Sequence, residues 1–150
     1  MSDNFFHKNI FGEVVDFDLN EPEEAAFAEA SASRRRSDFN IFSLTDAVGA
    51  RNKKEAWSLY QKALASGLSA EEIFWKIFWI TKSMMIASKT KNYTETEMKE
   101  FPYKKAKQYA GNFSKDELEK LSETLVVGYH NARRGIGEID SLIEKLLLNL

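Results

Sequence analysis

The sequence predicts an all-α fold: a single bundle of about five to six helices over residues 38–150, behind a flexible acidic segment at 1–37. Three observations carry this. Helix start and stop residues recur at regular intervals from Asp38 onward. Between them, apolar residues return at i, i+3 and i+4, the period of a half-buried helix. After residue 38 there is no convincing strand and no internal repeat.

Taken in order, residues 1–37 differ from the rest. Phe5, Phe6, Ile10, Phe11, Val14, Val15, Phe17 and Leu19 are scattered among acids without a helical period. Val14 to Leu19 has strand composition, but one strand needs a partner and none is evident. Pro22-Glu23-Glu24-Ala25-Ala26 suits a short helix start, with Pro in the first turn and acids at the positive dipole end. Ser31-Ala32-Ser33-Arg34-Arg35-Arg36-Ser37 reads as a linker. The segment is expected to be mostly disordered; the sharper reading is an acidic-aromatic peptide that docks on a partner.

The first helix is capped by Asn40 or Ser43 and ended by Gly49 as its C′ glycine. Asn52 caps the second, which puts Ala56, Leu59, Tyr60, Ala63 and Leu64 on one face and has Gly67 beyond its end. Ser69-Ala70-Glu71-Glu72 is a capping box opening a third helix that runs to about Lys89. Apolar residues surround nearly its whole circumference, leaving Glu72, Lys76, Ser83 and Thr90 as a polar stripe, so it is expected at the centre of the core or at an interface. Thr94 to Glu97 suits a capped turn. Pro102 fits the first position of a helix ending at Gly111. Ser114-Lys115-Asp116-Glu117 is a second capping box, and its helix turns Leu118, Leu121, Leu125, Val126 and Tyr129 inward. Asp140 is expected to cap the last helix, with Leu142, Ile143, Leu146, Leu147 and Leu150 in one stripe.

At 150 residues the chain is one domain with a tail, long enough to bury a core without staples. It has no cysteine, which excludes disulfides and thiolate metal sites and fits a reducing cytosol. No apolar stretch is long enough to span a bilayer, and Met1-Ser2-Asp3-Asn4-Phe5 lacks the features of a signal peptide. The net charge of −2 predicts no general affinity for nucleic acid. The charge is uneven, though. Residues 1–33 hold eight acids and one base, net −7, while residues 81–115 hold eight lysines and three glutamates, net +5. A solvated lysine-rich surface, an anionic partner and a shielding acidic tail all fit that asymmetry.

Candidate chemistry is sparse. The two histidines are His7, in the N-terminal segment, and His130, near a helix C-terminus beside Arg133 and Arg134, where cations are favoured. Two distant histidines and no cysteine do not make a zinc site. Glu23-Glu24 and Glu71-Glu72 fall at helix starts, where acids belong. No catalytic residue, cofactor site or metal site is expected. Trp57 lies near a helix start, whereas Trp75 and Trp79 are i, i+4 neighbours on one face; they are either core or an aromatic contact surface. Lys104, Lys105 and Lys107, interleaved with Tyr93, Tyr103 and Tyr109, are candidates for a weak DNA contact.

Three phrases together resemble a known family. They are Asn40-Ile41-Phe42-Ser43-Leu44-Thr45-Asp46-Ala47-Val48-Gly49; Phe101-Pro102-Tyr103-Lys104-Lys105-Ala106 followed by Phe113-Ser114-Lys115-Asp116-Glu117-Leu118; and the Gly135-to-Leu150 close with its acidic cap and leucine-rich last helix. In this order and spacing they resemble the C-terminal collar domain of the bacterial DNA polymerase III clamp-loader delta subunit, over about residues 38–150. The resemblance implies a helical domain that packs with the collars of other subunits, in a loader that opens the sliding clamp onto primed DNA. The nucleotide-binding and clamp-opening domains of the family have no counterpart here, and no Gly-x-x-x-x-Gly-Lys-Ser/Thr phosphate loop is present. A fragment of a longer protein and a stand-alone collar both fit.

The expected function is therefore non-catalytic assembly, in a hetero-oligomer with other clamp-loader subunits in the cytoplasm. DNA contact is indirect or weak, and neither a membrane nor a small-molecule substrate is involved. The expected interface with those subunits comprises Trp75, Trp79, Leu148 and Leu150, because the last helix carries more apolar surface than one face can hide. The alternatives are a free-standing helical adaptor or regulator acting through protein contacts, and a weak nucleic-acid-binding helical domain.

Overall fold

A computed structural model describes residues 7–8, 14–15 and 39–150. The chain forms two units, residues 1–34 and 35–150. In the first, His7–Lys8 (β1) pairs antiparallel with Val14–Val15 (β2), His7 opposite Val15 and Lys8 opposite Val14. Val14 and Val15 thus have the partner that their sequence does not reveal; antiparallel strands need only a short connection, so the partner lies in the same segment. The expected disorder over 1–37 and the short helix expected at Pro22 otherwise fall outside the described residues.

The second unit is all-α. Its helices are α1 (Ile41–Gly49), α2 (Lys53–Ala65), α3 (Ala70–Lys89), α4 (Glu100–Ala110), α5 (Lys115–Arg133) and α6 (Ile139–Leu148), with a 3₁₀ turn at Tyr93–Glu95. The longest, α3, packs against all five others. Its inner face, Ile73, Phe74, Ile77, Ile80 and Met84, is almost fully buried with Leu44 and Val48 of α1, Tyr60 of α2, Leu118 and Leu125 of α5 and Ile143 and Leu147 of α6. A smaller core of Ala87, Tyr103 and Ala106, with Met98 against it, joins α3 to α4.

The caps explain the boundaries. Asn40 Oδ1 accepts from the Phe42 amide, so Asn40 rather than Ser43 opens α1. Gly49 is not its C′ residue. The chain closes α1 with the Asn52 amide on the Ala47 carbonyl and the Arg51 amide on Val48, and Arg51 itself takes the left-handed position at φ 55°. Arg51 is held there by long contacts: its guanidinium donates to the Asn112 carbonyl and Glu117 and lies 4.9 Å from the Phe113 ring centroid. Gly49 instead makes room, since a Cβ there would stand 2.5 Å from the Tyr109 ring. Asn52 caps α2 through the Glu55 amide, and Gly67, at φ 92°, ends it in the left-handed conformation as expected.

Both predicted capping boxes are present, Ser69 with Glu72 and Ser114 with Glu117. Ser83 leaves the expected polar stripe and is buried, one turn from both Ile80 and Ala87 on the packed side. The fourth helix begins at Glu100, with Pro102 inside its first turn, where a missing amide breaks no helical bond. Gly111 ends it in the right-handed region, at φ −63°. Val126 does not face inward: one residue on from buried Leu125, it is rotated about 100° away and exposed. Nor does Asp140 cap α6. Glu138 holds the cap position without a side-chain bond, and Asp140 accepts from the buried Tyr60 hydroxyl at 2.8 Å.

The close packing at Gly49 can be tested by adding one methyl group. Gly→Ala in a helix ordinarily gains about 0.5–1 kcal/mol, but Gly49→Ala should destabilise by about 1–3 kcal/mol, because a ring must be displaced. Gly128→Ala meets only the flexible end of Leu142 and should cost less; thermal melts rank the two.

The Tyr60–Asp140 bond should show in the pH dependence of stability. Burial, then the hydrogen bond and charge of Asp140 and the charge of Glu144, push the Tyr60 pKa well above its ordinary 10.0. The folded state therefore holds this proton more tightly than the unfolded one. That contribution is complete below about pH 10 and is lost as pH rises beyond it. Tyr60→Phe should cost about 1–2 kcal/mol at neutral pH and make the alkaline fall in a urea-unfolding series shallower. Tyr109 and Tyr129, shifted in the same direction, keep some slope.

Candidate protein-contact surface

The helical period that sends Ile73, Ile77, Ile80 and Met84 inward brings Trp75, Lys76, Trp79 and Lys82 together on the opposite side of α3. Trp75 is 45% exposed and Trp79 43%. Of the two readings of these tryptophans, core or contact surface, the core one is thereby corrected: five neighbouring helices still leave one stripe of α3 uncovered. Trp57 is half-buried on α2, its ring centroid 6.2 Å from that of Tyr60.

The surface is braced from beneath. The Trp75 ring meets Phe74, Phe78 and Tyr129 edge-on, at centroid distances of 5.3, 5.7 and 4.9 Å. Tyr129, from α5, stacks on Phe74 and donates its hydroxyl to Glu71 at 2.7 Å. That bond raises the tyrosine pKa and fixes the ring between the helices. Exposed Val126 lies one turn before Tyr129. On α1, exposed Phe42 has the Lys76 ammonium 5.8 Å from its ring centroid. Large aromatic area on fixed side chains loses little entropy when a partner covers it, which is why Trp and Tyr dominate protein contacts.

The other expected interface residues divide. Leu148, on the last turn of α6, is 53% exposed, whereas Leu150 is half-buried against the main core. Leu148 is outside the main core cluster and ends a different helix from the Trp75–Trp79 stripe.

The candidate DNA lysines have structural partners. Lys104 pairs with Glu100 one turn back on α4. Lys105 reaches Asp46 of α1 at 2.7 Å. Lys107 donates to the Ala87 and Thr90 carbonyls at 2.7 and 2.6 Å, satisfying orphan acceptors at the negative end of α3. Tyr103 is buried, with its hydroxyl on the Thr90 carbonyl, and Tyr109 packs over Gly49. Only Tyr93 of the three interleaved tyrosines is exposed. Among the described residues no group of three or more His, Cys, Asp or Glu is placed to hold a metal ion. No helix of the described residues is long and apolar enough to cross a membrane.

Sequence reasoning missed Phe42, Phe101 and Ile136 as exposed apolar residues. Phe42 had a signal: it falls off the Leu44–Ala47–Val48 face of α1. Phe101, at 75% the most exposed of them, had a weaker one, since its i+3 and i+4 neighbours are Lys104 and Lys105.

A capped six-helix bundle with this chain order has a counterpart among known families: the model of the C-terminal domain of the DNA polymerase III delta subunit matches residues 38–150. The chain belongs to that family. The delta C-terminal domain is a non-catalytic component of the clamp loader in DNA replication, and an aromatic outer stripe on a packed scaffold is consistent with an assembly role. Comparisons with curated proteins and with solved structures give no match. The family match spans all six helices, so the exposed stripe belongs to the delta C-terminal domain itself.

The stripe can be separated from the core by mutation. Phe74→Ala should cost about 3–5 kcal/mol, as for a buried ring. Trp79→Ala should cost no more than about 2 kcal/mol. Urea unfolding of both variants measures the difference; equal losses would place Trp79 in the core after all.

Proposed function

We propose that residues 38–150 act as a collar-type assembly domain, packing against other clamp-loader subunits in the cytoplasm. The observation that carries this reading is the half-exposed Trp75–Trp79 stripe on the helix that otherwise forms the core. The exposed end of α6 at Leu148 supplies a second contact in this reading.

The energetics favour a protein partner. Covering two tryptophans and their aromatic neighbours removes apolar area from water at about 25 cal/mol per Å². The braced Trp75 and Tyr129 rings have little freedom left to lose, so more of that gain remains as affinity. Lys76 and Lys82 beside the stripe give it a polar rim that opposes wrong pairings. Direct contact with DNA is weak in this reading, since the charges of Lys105 and Lys107 are already engaged within the fold. The chain contributes no catalysis of its own.

The test is reconstitution with the other loader subunits of the same source, followed by size-exclusion chromatography. A Trp75→Glu/Trp79→Glu double variant should keep its helical circular dichroism and lose assembly. Leu148→Glu should also remain folded and weaken assembly. A folded double variant that assembles normally would move the contact to another face.

A further inference from the structure

A second surface, away from the tryptophan stripe, has its own chemistry. Between the first half of α5, the end of α6 and the α1–α2 turn lies an open cleft of about 510 Å³. This falls within the roughly 300–1,000 Å³ typical of ligand pockets. Its apolar lining comes from Phe113, Leu121, Leu146 and Leu150. Arg51, Lys120, Lys145 and Glu117 supply the charges around it.

Those charges do not cancel. Glu117 is committed twice: Arg51 bridges it at 3.2 Å, and its carboxylate accepts the Ser114 amide in the capping box. No ion pair joins Lys120 or Lys145 to a side-chain carboxylate among the described residues. The two lysines project from different helices, one from α5 and one from α6, so the unspent positive charge stands on both (and not one) of the helices that frame the apolar lining.

This combination selects among occupants. A purely apolar helix would leave two ammonium groups against low-dielectric surface, which costs free energy. A single-stranded nucleic acid is held by stacking platforms as well as cations, and the single aromatic ring of the cleft, Phe113, already carries the Arg51 guanidinium 4.9 Å from its centroid. An acidic segment with apolar side chains satisfies both the lining and the charges.

We propose that the cleft docks an acidic, apolar segment of a partner protein, with its apolar side chains on the partly exposed Phe113, Leu121 and Leu150 and its carboxylates against Lys120 and Lys145. The site is distinct from the α3 stripe and does not depend on the assembly reading.

The experiment is fluorescence anisotropy on the full chain. The probes are labelled peptides of roughly ten residues in which Asp or Glu alternates with Leu or Phe, their amide counterparts with Asn and Gln, and a labelled oligo-dT of similar length. The acidic peptides should bind, and binding should weaken several-fold between about 50 and about 300 mM salt. Lys120→Glu/Lys145→Glu, changing two exposed side chains, should weaken the peptide by about tenfold or more, which is the size expected for reversing two close charge contacts. Circular dichroism checks that this variant is folded, and Lys120→Gln/Lys145→Gln, which reverses no charge, should give a smaller loss. Trp75→Glu/Trp79→Glu should bind the peptide normally, which separates this site from the assembly face. Absence of acidic-peptide binding at millimolar peptide, equal binding of the amide peptides, or indifference to both lysine variants would overturn the proposal. Oligo-dT binding more tightly than every peptide, and lost in the lysine variants, would overturn it in favour of a nucleic-acid site.

Discussion

A helix of 20 residues that is apolar on most of its circumference cannot rest on one neighbour; it has to be surrounded. Here α3 meets that demand by touching every other helix of the bundle, and most of the remaining architecture follows. The helices around it are shorter or narrower in their apolar faces, because each needs to cover only one sector. Both ends of α3 are fixed as well. Ser69 and Glu72 close the first turn, while Lys107, Tyr103 and Thr90 take up carbonyls at the last. The sector left uncovered carries Trp75 and Trp79, so the candidate contact surface is a direct consequence of how many helices fit around one.

Much of the fold was legible in the sequence because caps and periodicity are local signals. Asn52, Ser69, Gly67 and Ser114 act within three or four residues of themselves, and each does in the structure what its type implies. The misreadings share an opposite cause. Asp140 was drawn from its cap position by Tyr60, eighty residues away in the chain. Gly49 is small for the sake of Tyr109, and Arg51 holds a position suited to glycine because Asn112, Glu117 and Phe113 receive its guanidinium. Those are tertiary facts with no local signature. The site was half legible for the same reason: the i, i+4 spacing of Trp75 and Trp79 placed them on one face, but whether another helix covers that face depends on the whole bundle.

Electrostatics show how misleading a count of charges is. Residues 81–115 carry a net +5, yet the lysines on α4 are spent on Glu100, on Asp46 and on helix carbonyls. Lys120 and Lys145 lie outside that stretch and keep their charge for solvent or a partner, on the rim of the α5–α6 cleft. Within the delta C-terminal domain family, to which the chain belongs, an assembly role fits a surface whose apolar area is exposed and whose charges stand at its rim.

The Arg51 turn has a consequence for the order of folding. Its left-handed backbone is unfavourable for a residue with a Cβ; besides the local amide bonds that close α1, its side chain is held only by groups more than sixty residues further along. The Tyr60–Asp140 and Glu71–Tyr129 bonds likewise join the first half of the bundle to the second. A nascent chain that has emerged only through α3 can pack α1 against α2 and α3 but lacks the guanidinium contacts that hold Arg51 at the corner. The early helices can meet, but the bonds from Arg51, Tyr60 and Glu71 that lock them form only when α5 and α6 have left the ribosome. The bundle is then a single cooperative unit whose closing step is C-terminal.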